Sequence, residues 1–177
     1  MPPASNNMAD LMSSVFIEFG KTVYICQCFE SSLCFLLSLM KHELSNGESG
    51  AFQKAWDFHS KKTLGNLLKS LRELIEVPED VYEFLDNCIK KRNTIVHGFL
   101  IDNAMHLFDP KGRVEIEQEL VELKKEVKRG DVVVNRLLDA FFEKYGTSNA
   151  MLKRDADRRW ELLNPEGPQN GRDLQNN

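Results

Sequence analysis

The stretch that decides the fold is MADLMSSVFIEFGKTVYICQCFESSLCFLLSLMKHEL, residues 8–44. Glu30 interrupts its apolar pattern, because it stands between Cys26 and Leu33 where an apolar residue is expected. The other members of the pattern recur at intervals of three and four: Met12, Phe16, Phe19, Val23, Cys26, Leu33, Leu37, Met40 and Leu44. That spacing puts them on one face of a helix, so the stretch predicts one long helix with a buried face.

The rest of the chain predicts more helices. A loop, SNGESG at 45–50, separates the first from those expected over residues 51–60, 63–75, 77–101 and 114–145. Thr63 can cap one of them, and Pro78 in VPED begins the next. DPKG at 109–112 is typical of a turn, and Gly130 with Asp131 is a candidate break in the last helix. With no convincing strand, the prediction is an all-α, four- to five-helix up-and-down bundle.

Composition limits the class of protein. We expect a helical domain over residues 8–145, a disordered segment at 1–7 and a polar tail at 146–177 with a short helix around 155–163. A net charge of −4 excludes a basic coat over the whole surface, although a local basic patch is compatible with it.

Apolar runs and cysteines bear on the compartment. No uninterrupted apolar run approaches the roughly 20 residues that span a bilayer, and the N-terminus lacks the basic region of a secretory signal. The four cysteines, without a C-x-x-C motif, are expected to be reduced and mostly buried thiols. We therefore expect a cytoplasmic protein without a membrane partner.

The most informative segment for function is KKRNTIVHGFL, residues 90–100. Asn93 and His97 lie four residues apart and share a helix face, whereas Arg92 is about 140° from His97 around the helix. Arg92 falls beside an apolar stripe, where a cation needs a partner. Glu30 is a carboxylate in the same situation, so we expect Glu30 and Arg92 to meet between packed helices.

This segment resembles the motif of the HEPN superfamily, whose nucleases carry Arg, four to six residues and then His, often with a polar residue after the Arg. Here the spacer is four residues and Asn93 is the polar one. The resemblance extends to the order of helices and the TLGNLL segment at 63–68, and covers roughly residues 8–145. It implies a helical bundle that dimerises and acts as a metal-independent ribonuclease in toxin–antitoxin, phage-defence or RNA-processing systems.

The chemistry implied is attack of a ribose 2′-OH on its own phosphate. His97 can act as base or acid near neutral pH, and Arg92 can stabilise the developing negative charge. Asn93 would orient His97 or the phosphate, with Glu30 in support, and Lys90 and Lys91 are candidate RNA-binding residues. One histidine per chain supplies one proton-transfer role, which gives a reason for a homodimer. No metal or cofactor is expected; RNA and an antitoxin or regulatory protein are the implied partners.

Other interpretations stay open. Arg92, Asn93 and His97 could form a structural hydrogen-bond network at a dimer seam. The chain could be a non-catalytic HEPN-like module that binds a nucleotide or a protein, or a structural helical adaptor. Two lysine pairs, Lys61–Lys62 and Lys90–Lys91, could be solvated charge rather than an RNA-binding patch. Trp56 and Trp160 are expected to pack rather than to stack on bases.

Overall fold

A computed structural model describes residues 8–144 of the chain, with side chains from Met12 onward. The predicted disorder at 1–7, the polar tail at 146–177 and its short helix lie outside the described residues. The chain divides into two compact units, Met1–Asn135 and Arg136–Asn177. All site residues discussed below belong to the first unit.

The described part of the chain is helical and contains no strand. Its helices are α1 (Met8–Leu44), α2 (Ala51–His59), α3 (Leu64–Leu74), α4 (Glu79–His97), α5 (Phe99–Asp102) and α6 (Pro110–Lys144), with a 3-10 helix at Ala104–Phe108 between α5 and α6. The prediction of an all-α bundle is therefore confirmed. Five helices are substantial, and α5 is a single turn.

α1 supplies much of the core. The middle of its predicted stripe is buried, and the adjacent positions Phe29 and Leu36 are buried as well. The prediction of a buried stripe was wrong near both ends of the helix, because Phe16 and Leu44 are exposed. The helix runs through Gly20 without interruption. Its apolar middle packs against α2, α3 and α4, which places Glu30 at the border between core and solvent.

By length and composition, α1 also satisfies the criteria for a membrane-crossing helix among the described residues. An 18-residue window within Met12–Leu44 reaches a mean hydropathy of 1.6, and 44% of that window is buried inside the protein. Core helices of soluble proteins have the same properties. The sequence-based expectation rested on uninterrupted apolar runs, so the absence of a membrane partner stays a prediction.

α4 is shorter than predicted, and this determines where the motif ends. Pro78 precedes its first residue. Two acids, Glu79 and Asp80, occupy its first turn, where their negative charge interacts favourably with the helix dipole. The helix stops at His97 instead of continuing to residue 101, and the chain changes direction at Gly98 before α5. His97 thus occupies the last helical position of α4, at an exposed helix end.

The DPKG segment begins α6 and is not a separate turn before it. The carboxylate of Asp109 accepts a hydrogen bond from the backbone N–H of Gly112 at 2.8 Å, which caps the first turn. Pro110 is the first helical residue, where its missing N–H costs nothing. Glycine is needed at 112, because a Cβ there would lie 2.5 Å from the carbonyl oxygen of His106.

The predicted break at Gly130 and Asp131 is absent, since α6 is continuous. Gly130 instead permits a close approach of helices: a Cβ there would lie 3.0 Å from Cβ of Cys88 in α4 and 3.3 Å from Phe29 in α1. Asp131 is buried and accepts a hydrogen bond from Ser32 of α1 at 2.8 Å. The two residues therefore join α6 to α1 and α4.

Gly20→Ala should raise the free energy of unfolding, whereas Gly130→Ala should leave it unchanged or lower it. Alanine favours a helix by about 1 kcal/mol over glycine at both sites. At Gly130, overpacking against buried Cys88 and Phe29 costs about 1–3 kcal/mol, which offsets or exceeds that gain. Nothing lies within 4 Å of a Cβ at Gly20. Urea unfolding of both variants checks this; equal stabilisation by both would contradict the close approach.

Candidate functional site

The last three turns of α4 position the motif. Leu85, Cys88, Ile89 and Ile95 are buried and fix the inner face of the helix. Asn93 and His97 therefore lie on the outer face, where both are exposed. Arg92 lies at the border and is directed toward α1. The helix rotation inferred from the sequence is thus confirmed.

Glu30 and Arg92 form the predicted contact between α1 and α4. Nη2 of Arg92 lies 2.6 Å from Oε2 of Glu30, and the two side chains are 16% and 33% exposed. Nη1 of Arg92 also donates to Oδ1 of Asn93 at 3.2 Å. Nε of Arg92 is buried and has no hydrogen-bond partner among the described residues. The guanidinium is therefore held by the carboxylate of Glu30 and the amide oxygen of Asn93, and the Arg92 side chain is largely buried.

His97 presents its imidazole to solvent at the C-terminal end of α4. Among the described residues, no side chain forms a hydrogen bond that would orient this ring. Asn93 is already engaged with Arg92, so it does not hold His97 within one chain. A single chain thus brings Arg92 and Asn93 together and leaves His97 available for a partner or a substrate.

The lysines before the motif are both paired with acids. Lys90 lies 2.8 Å from Asp86 in the same helix, and this hydrogen bond raises the pKa of Lys90. Lys91 forms an ion pair with Glu126 of α6. These carboxylates reduce the local positive charge. RNA binding by Lys90 and Lys91 stays a prediction.

A cleft beside the ion pair was not predicted from the sequence. It has a volume of about 330 Å³ between α1 and α2, and its walls carry an aromatic ring and several polar groups: Gln27, Glu30, Ser31, Cys34, Trp56 and Ser60. Trp56 is half-buried there, and its ring stacks on Phe52 with centroids 6.3 Å apart and an interplanar angle of 21°. The expectation that Trp56 packs is confirmed, but it also borders this open space.

The three buried thiols do not offer a nucleophile. All four cysteines are free, and Cys26, Cys34 and Cys88 are buried. Burial raises the pKa of Cys26 and of Cys34 to about 11 and also raises that of Cys88. Since the thiolate is the reactive form, these groups are inert near neutral pH.

His59 is buried at the end of α2. Neither ring nitrogen has a hydrogen-bond partner among the described residues, while Phe58 packs edge-on against the ring. Burial lowers its pKa, and the charges of Lys62 and Lys41 lower it further. The neutral ring is therefore the form that the fold accepts.

The stability of the protein should fall as the pH is lowered through the ordinary histidine pKa of 6.5. In that range the unfolded chain binds a proton at His59 that the folded chain resists, so protons favour unfolding. Stability from this group is fully present above pH 6.5 and is lost as the pH falls toward the folded-state pKa. His59→Phe should flatten this part of the profile. Urea unfolding between about pH 5 and pH 8 measures it; an unchanged profile would contradict the assignment.

Between Met12 and Lys144, no three His, Cys, Asp or Glu side chains are grouped so that they could hold a metal ion. Metal-independent chemistry stays a prediction. No protein-family model matches the chain, and neither does any curated protein or solved structure. The resemblance to the HEPN superfamily therefore depends on the motif, its helix and the arrangement around it.

Proposed function

We propose that this protein is a HEPN-like, metal-independent endoribonuclease whose active site is completed by a second copy of the chain. The supporting observation is the arrangement at the end of α4: Glu30 and Asn93 hold Arg92 between them, and His97 lies exposed on the same helix. A fixed cation and an accessible imidazole on the same helix, brought together with those of a second copy, suit the cleavage of a phosphodiester. From the resemblance, we place the protein in the cytoplasm, in defence or stress regulation, with an antitoxin or regulatory protein as a further partner.

In the proposed reaction, His97 of one chain accepts the proton of a ribose 2′-OH, and the oxygen attacks the adjacent phosphorus. The bond from phosphorus to the 5′ oxygen breaks, and the partner's His97 donates a proton to that leaving group. Arg92 stabilises the negative charge on the phosphate oxygens during attack. The products are a 2′,3′-cyclic phosphate and a 5′-hydroxyl.

An apolar surface follows His97 along the chain and supports the proposed dimer. Ile101 is 77% exposed, Met105 80% and Phe108 62%, all within α5 and the 3-10 helix. Val96 adds a further partly exposed apolar side chain next to His97. Exposed apolar side chains that follow one another closely along the chain are a candidate interaction surface. A second copy docked here would bring its own motif close to the first.

The protein should sediment as a dimer at micromolar concentration, and Ile101→Glu with Met105→Glu should make it monomeric and inactive. Buried charges without partners oppose association strongly. Leu44→Glu is the matched control: Leu44 is 68% exposed and lies at the C-terminal end of α1, whereas Phe99 and Leu107 pack with Val15 near its N-terminal end. Sedimentation and cleavage are measured on the same samples. A monomeric wild type that cleaves RNA would rule out the shared site.

The substrate itself provides the test of the proposed function. The purified protein should cut an RNA oligonucleotide in excess EDTA, leaving a cyclic phosphate or 3′-phosphate and a 5′-hydroxyl. A matched oligonucleotide with one 2′-deoxyribose at the cut position should resist at that position, because it lacks the nucleophile. Equal cleavage of the deoxy substrate, or cleavage only with added Mg²⁺, would overturn the mechanism.

A second candidate function is a non-catalytic HEPN-like module that binds a nucleotide or a protein. The observation in its favour is the pairing of every cation in the segment: Lys90, Lys91 and Arg92 each contact a carboxylate. Such a module would bind RNA or a partner without cutting, and loss of His97 would leave its binding unchanged. The cleavage assay therefore separates the two functions.

A further inference from the structure

The cleft between α1 and α2 lies at the end of a series of aromatic contacts. Phe35 of α1 meets Phe52 of α2 edge-on, with centroids 5.7 Å apart, and Phe52 stacks on Trp56. These contacts hold the indole ring of Trp56 in place at the wall of the cleft. A ring fixed in advance loses little conformational freedom when a flat ligand stacks on it. The cleft is therefore prepared for a planar group.

The remaining wall of the cleft offers hydrogen bonds of both kinds. Gln27 carries an amide donor and acceptor, and the hydroxyls of Ser31 and Ser60 can donate or accept. Nucleobases combine a flat face with donors and acceptors around the edge. The cleft volume of about 330 Å³ lies at the lower end of the range for small-ligand sites. An aromatic wall with polar groups around it matches a base better than a purely apolar ligand.

Glu30 connects this cleft to the motif. Glu30 lines the cleft, and its Oε2 accepts a hydrogen bond from Arg92. A nucleotide whose phosphate contacts Arg92 would thus have its neighbouring base close to Trp56. We infer that the cleft is a base subsite, in which an unpaired nucleobase of the RNA stacks on Trp56 and exchanges hydrogen bonds with Gln27 and Ser31. This inference rests on the proposed function only for the identity of the polymer.

Binding without cleavage tests the subsite first. The chain has two tryptophans, so Trp160→Phe leaves Trp56 as the only fluorescent indole. The double variant Trp160→Phe, His97→Ala should bind RNA without cutting it, so it reports on binding alone. A short 2′-O-methyl oligonucleotide should quench the Trp56 emission, whereas the same oligonucleotide with one abasic residue at the bound position should not. Equal quenching by both oligonucleotides would overturn the inference, since they carry the same phosphates.

The second test measures the cleavage kinetics of single Trp56 variants that keep Trp160 and His97. Trp56→Leu should raise KM about ten-fold with kcat nearly unchanged, because loss of one stacked base costs about that much affinity. Trp56→Phe keeps a ring and the contact with Phe52, so its KM should stay near that of the wild type. Equal effects of Leu and Phe, or no effect of either, would reject stacking. If the wild type cuts no RNA and is not toxic when expressed in cells, the proposed function fails, and the fluorescence measurement still decides the subsite.

Discussion

His97→Ala should abolish RNA cleavage and leave the fold intact. Proton transfer by a positioned side chain contributes about 10²–10⁴-fold to a rate, so at least that much activity should be lost. The imidazole is exposed and has no hydrogen-bond partner among the described residues, so its removal costs no packing. Alanine also favours the helix. Cleavage rates and urea unfolding measure the two expectations separately.

Thr94→Ala is the matched control for this prediction. Thr94 is exposed on the same turn of α4, and its hydroxyl donates only to the carbonyl of Lys90 in its own helix at 3.3 Å. This variant should keep its activity. Added imidazole should restore part of the activity of His97→Ala, since the missing group is a proton carrier. Full activity of His97→Ala would exclude the residue from catalysis.

Expression in cells gives an independent reading of the same variants. A toxin that is silent in a purified state would show no cleavage with either wild type or His97→Ala. Growth on expression still separates the two, because only the wild type should be toxic. Equal growth with both, together with an absence of cleavage, would favour the binding module.

The contact between Glu30 and Arg92 could be predicted because each residue breaks an apolar pattern on its own helix. A charged group beside the core is destabilising unless it is paired, so two groups of opposite charge in this situation are expected to contact each other. The spacing along α4 placed Asn93 and His97 on one helix face and Arg92 beside the apolar stripe. Local periodicity was sufficient for these features.

Other features depended on close approaches that periodicity does not encode. Glycine weakens helices, so Gly130 in the sequence suggests a break. In the structure the missing side chain instead lets Cys88 and Phe29 pack closely against α6. The cleft at Trp56 exists only once α2 packs on α1, so neither helix alone reveals it. The end of α4 at His97 depends on the bend at Gly98, where a continuing apolar pattern suggested more helix. In each case the tertiary contact overrides the local signal.

Glu30→Gln should lower the free energy of unfolding by about 1–2 kcal/mol. Exposed ion pairs contribute about 0–1 kcal/mol, and loss of one partner from a buried pair costs about 3–5 kcal/mol. Glu30 and Arg92 lie between these cases, because their side chains are 33% and 16% exposed. Glu79→Gln is the control: its pair with Arg72 is 2.5 Å long but largely exposed, so its loss should cost less than 1 kcal/mol.

The same pair should control activity through the position of Arg92. Arg92→Ala should reduce cleavage by about 10²–10³-fold, the usual cost of losing one group that stabilises transition-state charge. Glu30→Gln keeps the cation but loosens its hold, so its activity should fall less. The double variant should be no less active than Arg92→Ala, because Glu30 acts only through Arg92. If the two losses multiply instead, Glu30 has a role of its own, and the positioning mechanism is wrong.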